Sequence, residues 1–150
     1  MMRIGLDTSV LLVLIDEKDI WHDKAVAIKD ALLRNNKVVI AVSDCVLTET
    51  ISILARRIHE KRRSEELETL LNHLLAAYPL ESILWLYPLL PAYFEEVVNL
   101  VRSSNGELNF NDALIALSCR DRDITYLASF DKDFDSISWL NRVAVPSDLE

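Results

Sequence analysis

Short apolar runs alternate with amphipathic segments along this chain, and this alternation is the feature that most restricts its fold. The runs with the composition of strands are residues 3–6, 38–42, 82–87, 125–129 and 142–145. The longer segments with helical spacing are residues 21–36, 43–58, 64–78, 91–104 and 112–120. Alternating strands and helices build a mostly parallel sheet with helices packed against it. The sequence therefore predicts an α/β fold.

Length and composition indicate a single domain over residues 1–150. Of these residues 51% are hydrophobic, which is enough for a real core and excludes a disordered chain. No signal segment opens the sequence and charges interrupt every apolar stretch, so we expect a cytoplasmic protein without a membrane span. Cys45 and Cys119 are expected to be buried free thiols, although a single bridge between them stays open. Two glycines in the whole chain exclude a glycine-rich phosphate loop.

Four acidic residues fall at one predicted edge of the sheet. Asp7 follows the first strand, Asp131 follows the fourth, Glu49 lies in the second turn of the helix after the second strand, and Asp112 begins a crossover helix. Carboxyl ends of parallel strands and N-termini of crossover helices share one edge, so these carboxylates meet if the central strands are adjacent. Close carboxylates cannot all stay ionised without a cation. The pattern predicts a site for Mg²⁺ or Mn²⁺, which prefer oxygen ligands.

Each acid also has a simpler interpretation when it is taken alone. Asp7, Asp112 and Asp131 are all plausible helix N-caps. Glu49 lies opposite the apolar stripe of its helix and is expected there as a solvated side chain. The shared location of the four acids favours a site, and so does the run "ALIAL" after Asp112, which is apolar on every face and predicts a buried helix.

Four motifs carry a resemblance to a known family. The stretches "GLDTSVLL", "LTETISIL", "NDALIAL" and "LASFDKDF" resemble, in this order, the four acidic motifs of the PIN-domain family. The match spans nearly the whole chain, and its size and N-terminal start are most similar to the VapC-type toxins. Each motif alone is weak, whereas the four together are specific.

The resemblance implies a three-layer PIN-like domain with a central five-stranded parallel sheet flanked by helices. It implies a Mg²⁺- or Mn²⁺-dependent ribonuclease that is commonly a homodimer and is commonly neutralised by a small antitoxin protein. The catalytic, metal-binding acids that it implies are Asp7, Glu49, Asp112 and Asp131. Polar neighbours of the site are then Thr8 and Ser129.

The segment "DKDFD" offers three acids for the last motif. Asp131 is preferred because the family's acid stands two residues after a Ser or Thr, here Ser129. We expect Asp133 to be exposed, Phe134 to be core, and Asp135 to be a cap or an outer ligand. Elsewhere, Trp85 and Trp139 are expected in the core.

A basic segment at residues 56–63, "RRIHEKRR", carries a local charge of +4 within a chain of net charge −8. Arg56 follows Glu49 by two helical turns, about 10 Å along the same face, so we expect it to contact RNA at the metal edge. Arg62 and Arg63 are expected to meet either RNA phosphates or an acidic antitoxin segment. A solvated helix end is the alternative.

Two other functions stay open at this point. A phosphoryl-receiver domain also places a Mg²⁺ pocket at the edge of a parallel sheet, with Lys132 as the candidate phosphate ligand, but this sequence lacks paired acids after its first strand. The second open function is that of a PIN-like module that binds a partner without catalysing a reaction. The sequence also does not distinguish one bound metal ion from two.

Overall fold

The computed structural model describes residues 1–150 as five parallel strands and six α-helices. The strands are β1 (Met2–Leu6), β2 (Val38–Ser43), β3 (Ile83–Leu84), β4 (Tyr126–Ala128) and β5 (Asn141–Val143). The helices are α1 (Thr8–Ile15), α2 (His22–Arg34), α3 (Asp44–Glu60), α4 (Leu67–Ala77), α5 (Leu90–Ser103) and α6 (Phe110–Asp121). No helix is both long enough and apolar enough to cross a bilayer.

The sheet has the strand order β3-β2-β1-β4-β5, and every pair is parallel. Ile4 of β1 lies level with Ile40 of β2 on one side and Tyr126 of β4 on the other. Gly5 allows close packing here, because a Cβ at this position would stand 2.9 Å from Leu127 Cδ1. The predicted α/β fold with a five-stranded parallel sheet is confirmed.

The core contains α6 almost entirely. Every residue from 113 to 119 is buried, as the apolar run after Asp112 predicted. The helix begins two residues earlier than expected, at Phe110, because the Asn109 side chain accepts the backbone N–H of Asp112 and caps the helix. Cys45 and Cys119 are free and buried, as predicted.

The third strand is much shorter than predicted, with two residues in place of the run 82–87. The buried carboxylate of Asp44 accepts the backbone N–H groups of Leu86 and Tyr87, each at 2.9 Å. Leu84 lies opposite Ser43, the last residue of β2, so the residues after Leu84 have no strand partner, and the chain turns away from the sheet with these amides bound to Asp44. The core position expected for Trp85 is wrong for the same reason, since 49% of this residue is exposed. Trp139 is half-buried against the core and donates its indole N–H to the Ala116 carbonyl.

Two of the five cations of the basic segment, Arg57 and Arg63, form internal ion pairs. Asp16 at the end of α1 is 1% exposed, and it accepts hydrogen bonds from Arg63 at 2.9 Å and Arg57 at 3.4 Å. Arg63 also pairs with Glu66, and Arg57 with Asp19 at 2.8 Å. The expectation that Arg63 meets RNA or an antitoxin is therefore wrong, because its guanidinium joins α1 to the start of α4. Arg62 is exposed, as a solvated residue would be.

We predict that Arg63→Ala lowers the free energy of unfolding by about 2 kcal/mol, because it removes the main partner of a buried carboxylate. Arg62→Ala is the matched control, and a change within about 0.5 kcal/mol is expected at that exposed position. Urea unfolding followed by circular dichroism measures both. Equal stability of the two variants would contradict the structural role of Arg63.

Candidate functional site

The site lies where the strand order reverses, between β1 and β4. The chain passes from β1 outwards to β2 and β3 and then returns to the other side of β1, so the crossovers on the two sides diverge and leave a crevice at the carboxyl ends of these strands. Asp7 follows β1 directly, and Ser129 and Asp131 follow β4. The fold therefore brings together segments that are more than 100 residues apart.

Asp7 is fixed at this crevice by two hydroxyl groups. Its Oδ2 accepts hydrogen bonds from Ser129 Oγ at 2.7 Å and Ser9 Oγ at 3.0 Å. It stands at the cap position of α1, but its side chain makes no capping bond, so the cap interpretation does not account for it. Burial raises the pKa of the Asp7 carboxyl, and the two serines oppose that rise. The carboxylate is thus held rigidly in a place that disfavours its charge.

Glu49 is joined to the same edge through Thr8. The Thr8 hydroxyl donates to Glu49 Oε2 at 3.2 Å and so links the start of α1 to the second turn of α3. Partial burial raises the pKa of Glu49, and the nearby charge of Asp7 adds to the rise. The Glu49 side chain is therefore not the free, solvated one that its helical position alone suggests.

The pKa of the Asp112 carboxyl is affected by all three of the other acids. Its pKa is raised to about 7, first by burial and then by the charges of the other three carboxylates, namely Asp7, Asp131 and Glu49. It lies in the first turn of α6, where Asn109 and not Asp112 is the cap. Such repulsion requires that the carboxylates lie near one another, as we expect if they share one edge of the sheet.

Asp131 is positioned by local hydrogen bonds. Its backbone N–H donates to Ser129 Oγ at 3.0 Å, and its Oδ1 accepts the backbone N–H of Asp133 at 2.9 Å. Asp131 therefore does cap the short 3₁₀ helix that follows, while its charge also acts on Asp112. Asp133 is half-buried and not fully exposed as expected, and Phe134 is in the core as predicted.

Residues 4–140 of the chain match the family model of the PIN domain. The chain belongs to the PIN-domain family. The strand order also differs from the 2-1-3-4-5 order of receiver domains, so the phosphoryl-receiver interpretation is wrong.

Two solved structures resemble this PIN domain closely in fold. One is a Mycobacterium tuberculosis protein, VapC20, described as a sarcin-ricin loop cleaving toxin. It is 25% identical, with a TM-score of 0.66, over 90% of this chain and 95% of that one. The other is VapBC2 from Rickettsia felis, bound to a DNA fragment from their promoter. It is 20% identical, also with a TM-score of 0.66, over 95% of this chain and 98% of that one. No curated protein sequence matches the chain.

Two further residues at the site were missed by the sequence analysis. Ser9 bonds Asp7 and accepts the backbone N–H of Phe130 at 3.0 Å; its position two residues after Asp7 was the available signal. Arg142 of β5 donates to the Ser129 carbonyl at 3.2 Å and forms a two-bond ion pair with Asp135. Asp135 is therefore engaged with Arg142 and is not directed to the acids. No local pattern indicated Arg142, because its role depends on the β4–β5 pairing.

The donor set of this PIN domain suits a hard divalent cation. Four carboxylates would offer oxygen ligands of the kind that Mg²⁺ and Mn²⁺ take, and burial together with mutual repulsion raises the pKa values of Asp7, Glu49 and Asp112. In this conformation no three His, Cys, Asp or Glu side chains are arranged closely enough to hold a metal ion. Carboxylates without a cation between them repel one another, so a bound cation is expected to draw them together.

We predict that the metal-free protein loses stability as pH rises from about 4 to about 7. The folded state holds the Asp112 proton up to about pH 7, whereas the unfolded chain releases it near 3.8, so folding becomes less favourable across this window and levels off above it. Asp112→Asn should flatten the decline and raise stability at pH 8. Urea unfolding in EDTA at pH 5 to 8 measures this.

The control for this prediction is Asp30→Asn, at an exposed position of α2. It should keep the wild-type dependence on pH. The same decline in the Asp112→Asn variant as in wild type would show that Asp112 titrates normally.

Proposed function

We propose that this PIN domain is a Mg²⁺- or Mn²⁺-dependent ribonuclease and the toxin of a toxin-antitoxin pair, acting in the cytoplasm as one domain. The observation that carries the proposal is the placement of Asp7, Glu49 and Asp131, from three other chain segments, where their charges add to burial in raising the Asp112 pKa to about 7. The likeness to VapC20, itself described as a sarcin-ricin loop cleaving toxin, supports RNA as the substrate. A PIN-like module without catalysis would not need the destabilising approach of these carboxylates.

The metal would be held by Asp7, Glu49, Asp112 and Asp131. When bound, it supplies a water nucleophile at neutral pH and offsets the charge that develops on the phosphodiester. The residues of the chain keep these acids in position: Ser129 and Ser9 hold Asp7, and Thr8 holds Glu49. Outer partners of this kind usually matter for metal affinity, so the hydroxyl groups are part of the proposed site.

Arg56 is proposed as a contact for RNA beside the site. It is exposed, it makes no ion pair, and it lies two turns after Glu49 on the same helix. A free cation at this place would attract the phosphates of a substrate to an otherwise acidic protein. Its neighbours Arg57 and Arg63 are committed to Asp16 and are not available for this role.

We also propose a homodimer and a small antitoxin protein as partners. Only Val97 is fully buried among the fourteen residues of α5, and Phe94 is 55% exposed, so the outer face of α5 is proposed as the dimer contact. A separate groove of about 340 Å³ between α3, α4 and the segment up to Trp85 is proposed for the antitoxin. Exposed apolar surfaces of this kind mark protein contacts.

We expect Asp7→Asn, Asp112→Asn and Asp131→Asn each to reduce RNA cleavage by roughly 100-fold or more, because even residues beyond the direct ligands cost 10- to 100-fold. Cleavage of structured and single-stranded RNA with Mg²⁺, Mn²⁺ or EDTA measures this. Asp30→Asn should retain full activity. Full activity in the three variants would leave the acids with a structural role only, since Asn caps helices nearly as well as Asp.

Metal binding itself should raise the melting temperature. Binding to the folded state alone stabilises it by about 2.7 kcal/mol at 100 times the dissociation constant. We expect Mn²⁺ to give this shift in wild type and in Asp133→Asn, but a much smaller shift in Asp112→Asn. Equal shifts in the two variants would mean that Asp112 is not a ligand.

The dimer proposal is tested by Phe94→Glu, which places a charge on the outer face of α5. We expect this variant to be monomeric by light scattering after gel filtration, while wild type is a dimer. Trp85→Glu, at a similarly exposed aromatic residue of the groove, should remain dimeric. If only Trp85→Glu is monomeric, the dimer contact lies in the groove and not on α5.

A further inference from the structure

We propose that Trp21, Phe130 and Lys24 form a platform that binds a nucleobase of single-stranded RNA next to the scissile phosphate. This inference rests on the proposed ribonuclease function and adds to it a site for the substrate. It is carried by an exposed aromatic ring, by the contact of that ring with Phe130, whose backbone is bonded to the acidic site through Ser9, and by a cation without an acidic partner beside it.

Phe130 connects the platform to the acids. It stands between Ser129 and Asp131 in the chain, and Ser9 accepts its backbone N–H at 3.0 Å. Ser9 and Ser129 are the two hydroxyl groups that bond Asp7. The backbone of Phe130 is therefore fixed by the same hydrogen bonds that fix the site.

Trp21 packs on Phe130 and remains open to solvent. The two ring centroids are 5.1 Å apart at an interplanar angle of 87°, an edge-to-face contact. The backbone N–H of Trp21 donates to Asp19 Oδ1 at 2.9 Å, and Arg57 in turn binds Asp19 at 2.8 Å. Even so, 42% of Trp21 is exposed. The ring is thus held in place while part of it stays open to solvent, with the Lys24 ammonium group over the ring.

Lys24 adds the charge that a nucleic acid needs. Its Nζ lies 5.0 Å from the centroid of the Trp21 ring, one turn into α2, and it makes no ion pair with an acidic residue. Lys24 is therefore a cation without an acidic partner beside an exposed indole. An aromatic face with an adjacent cation is the arrangement that binds a base together with its phosphate.

The position of the platform determines which nucleotide it would receive. Because the Phe130 N–H is bonded to Ser9, whose hydroxyl also bonds Asp7, a base that stacks on the Trp21 ring would belong to a nucleotide near the phosphate at the acids. Every base has a π-face, so this contact selects unpaired nucleotides without selecting their sequence. The platform would therefore favour loops and single strands over duplex RNA, in which the bases are stacked on one another.

The test is the binding of a fluorescein-labelled single-stranded RNA to proteins that all carry Asp112→Asn to prevent cleavage. Trp21→Leu should weaken binding roughly 5- to 100-fold, and Trp21→Tyr, which keeps an aromatic face, should restore most of the affinity. Trp85→Leu is the matched control, because Trp85 is similarly exposed but lies in the groove. This variant should bind the RNA as tightly as the protein with Asp112→Asn alone, which we call the parent.

A second arm uses the same RNA with single abasic positions. One abasic position should weaken binding to the parent, and the same substitution should have almost no further effect in Trp21→Leu, because the stacking partner is already absent. Lys24→Ala should reduce the salt dependence of binding by about one phosphate contact. Melting temperatures of all variants verify that each one is folded.

The outcomes separate this inference from the proposed function. RNA binding that is equal in Trp21→Leu and Trp85→Leu, while wild type cleaves RNA, overturns the platform alone and leaves Trp21 as a protein contact or a packing residue. Absence of both binding by the parent and cleavage by wild type overturns the proposed function and the platform with it.

Discussion

The hydrogen bond that Ser129 donates to Asp7 joins the ends of β1 and β4, and the candidate site depends on it. It is 2.7 Å long, it is buried, and it connects residues 122 positions apart in the chain. Ser129 also accepts the backbone N–H of Asp131 and so sets where the last acid stands. One hydroxyl group therefore positions two carboxylates, and this works only because β1 and β4 are neighbours in the sheet.

The same arrangement has an electrostatic cost. Burial of Asp112, together with the charges of three other carboxylates, raises its pKa to about 7, which means that the folded state resists its ionisation. A protein selected only for stability would gain by replacing such an acid with a neutral residue. This cost in stability is explained if the acids bind a cation. The raised pKa is therefore a stronger argument for a metal site than any single sequence motif.

The positively charged side chains discussed above fall into two groups, those paired with acidic residues and those without an acidic partner. Arg57 and Arg63 lie within a basic segment, but they neutralise Asp16, which is almost fully buried, and so they hold α1, α3 and the start of α4 together. The cations left for a polyanion are those without acidic partners, such as Arg56 on α3 and Lys24 on α2. The net charge of −8 is therefore compatible with an RNA substrate, because binding is expected at a few unpaired cations beside a neutralised acidic crevice.

Much of the fold followed from local pattern. The apolar run after Asp112 predicted a buried helix, and α6 is buried from residue 113 to residue 119. The alternation of runs predicted the parallel sheet, and Asp7 and Asp131 follow β1 and β4, as the predicted strand ends required. The third strand shows the limit of this reasoning. Its sequence has strand character over 82–87, yet β2 ends opposite Leu84, and Asp44, about 40 residues earlier, then binds the amides of Leu86 and Tyr87.

The sequence by itself determined which residues have strand or helix periodicity and which acids stand at their ends, because these properties depend on neighbours in the chain. Tertiary structure alone decided that Arg63 turns inward to Asp16 and that Arg142 binds Asp135 and the Ser129 carbonyl. It also decided that Trp21 lies on Phe130 beside the acids. Each of these contacts joins segments whose separation in sequence carries no periodic signal, and the partner of a charged or aromatic side chain depends on which elements the sheet order makes adjacent.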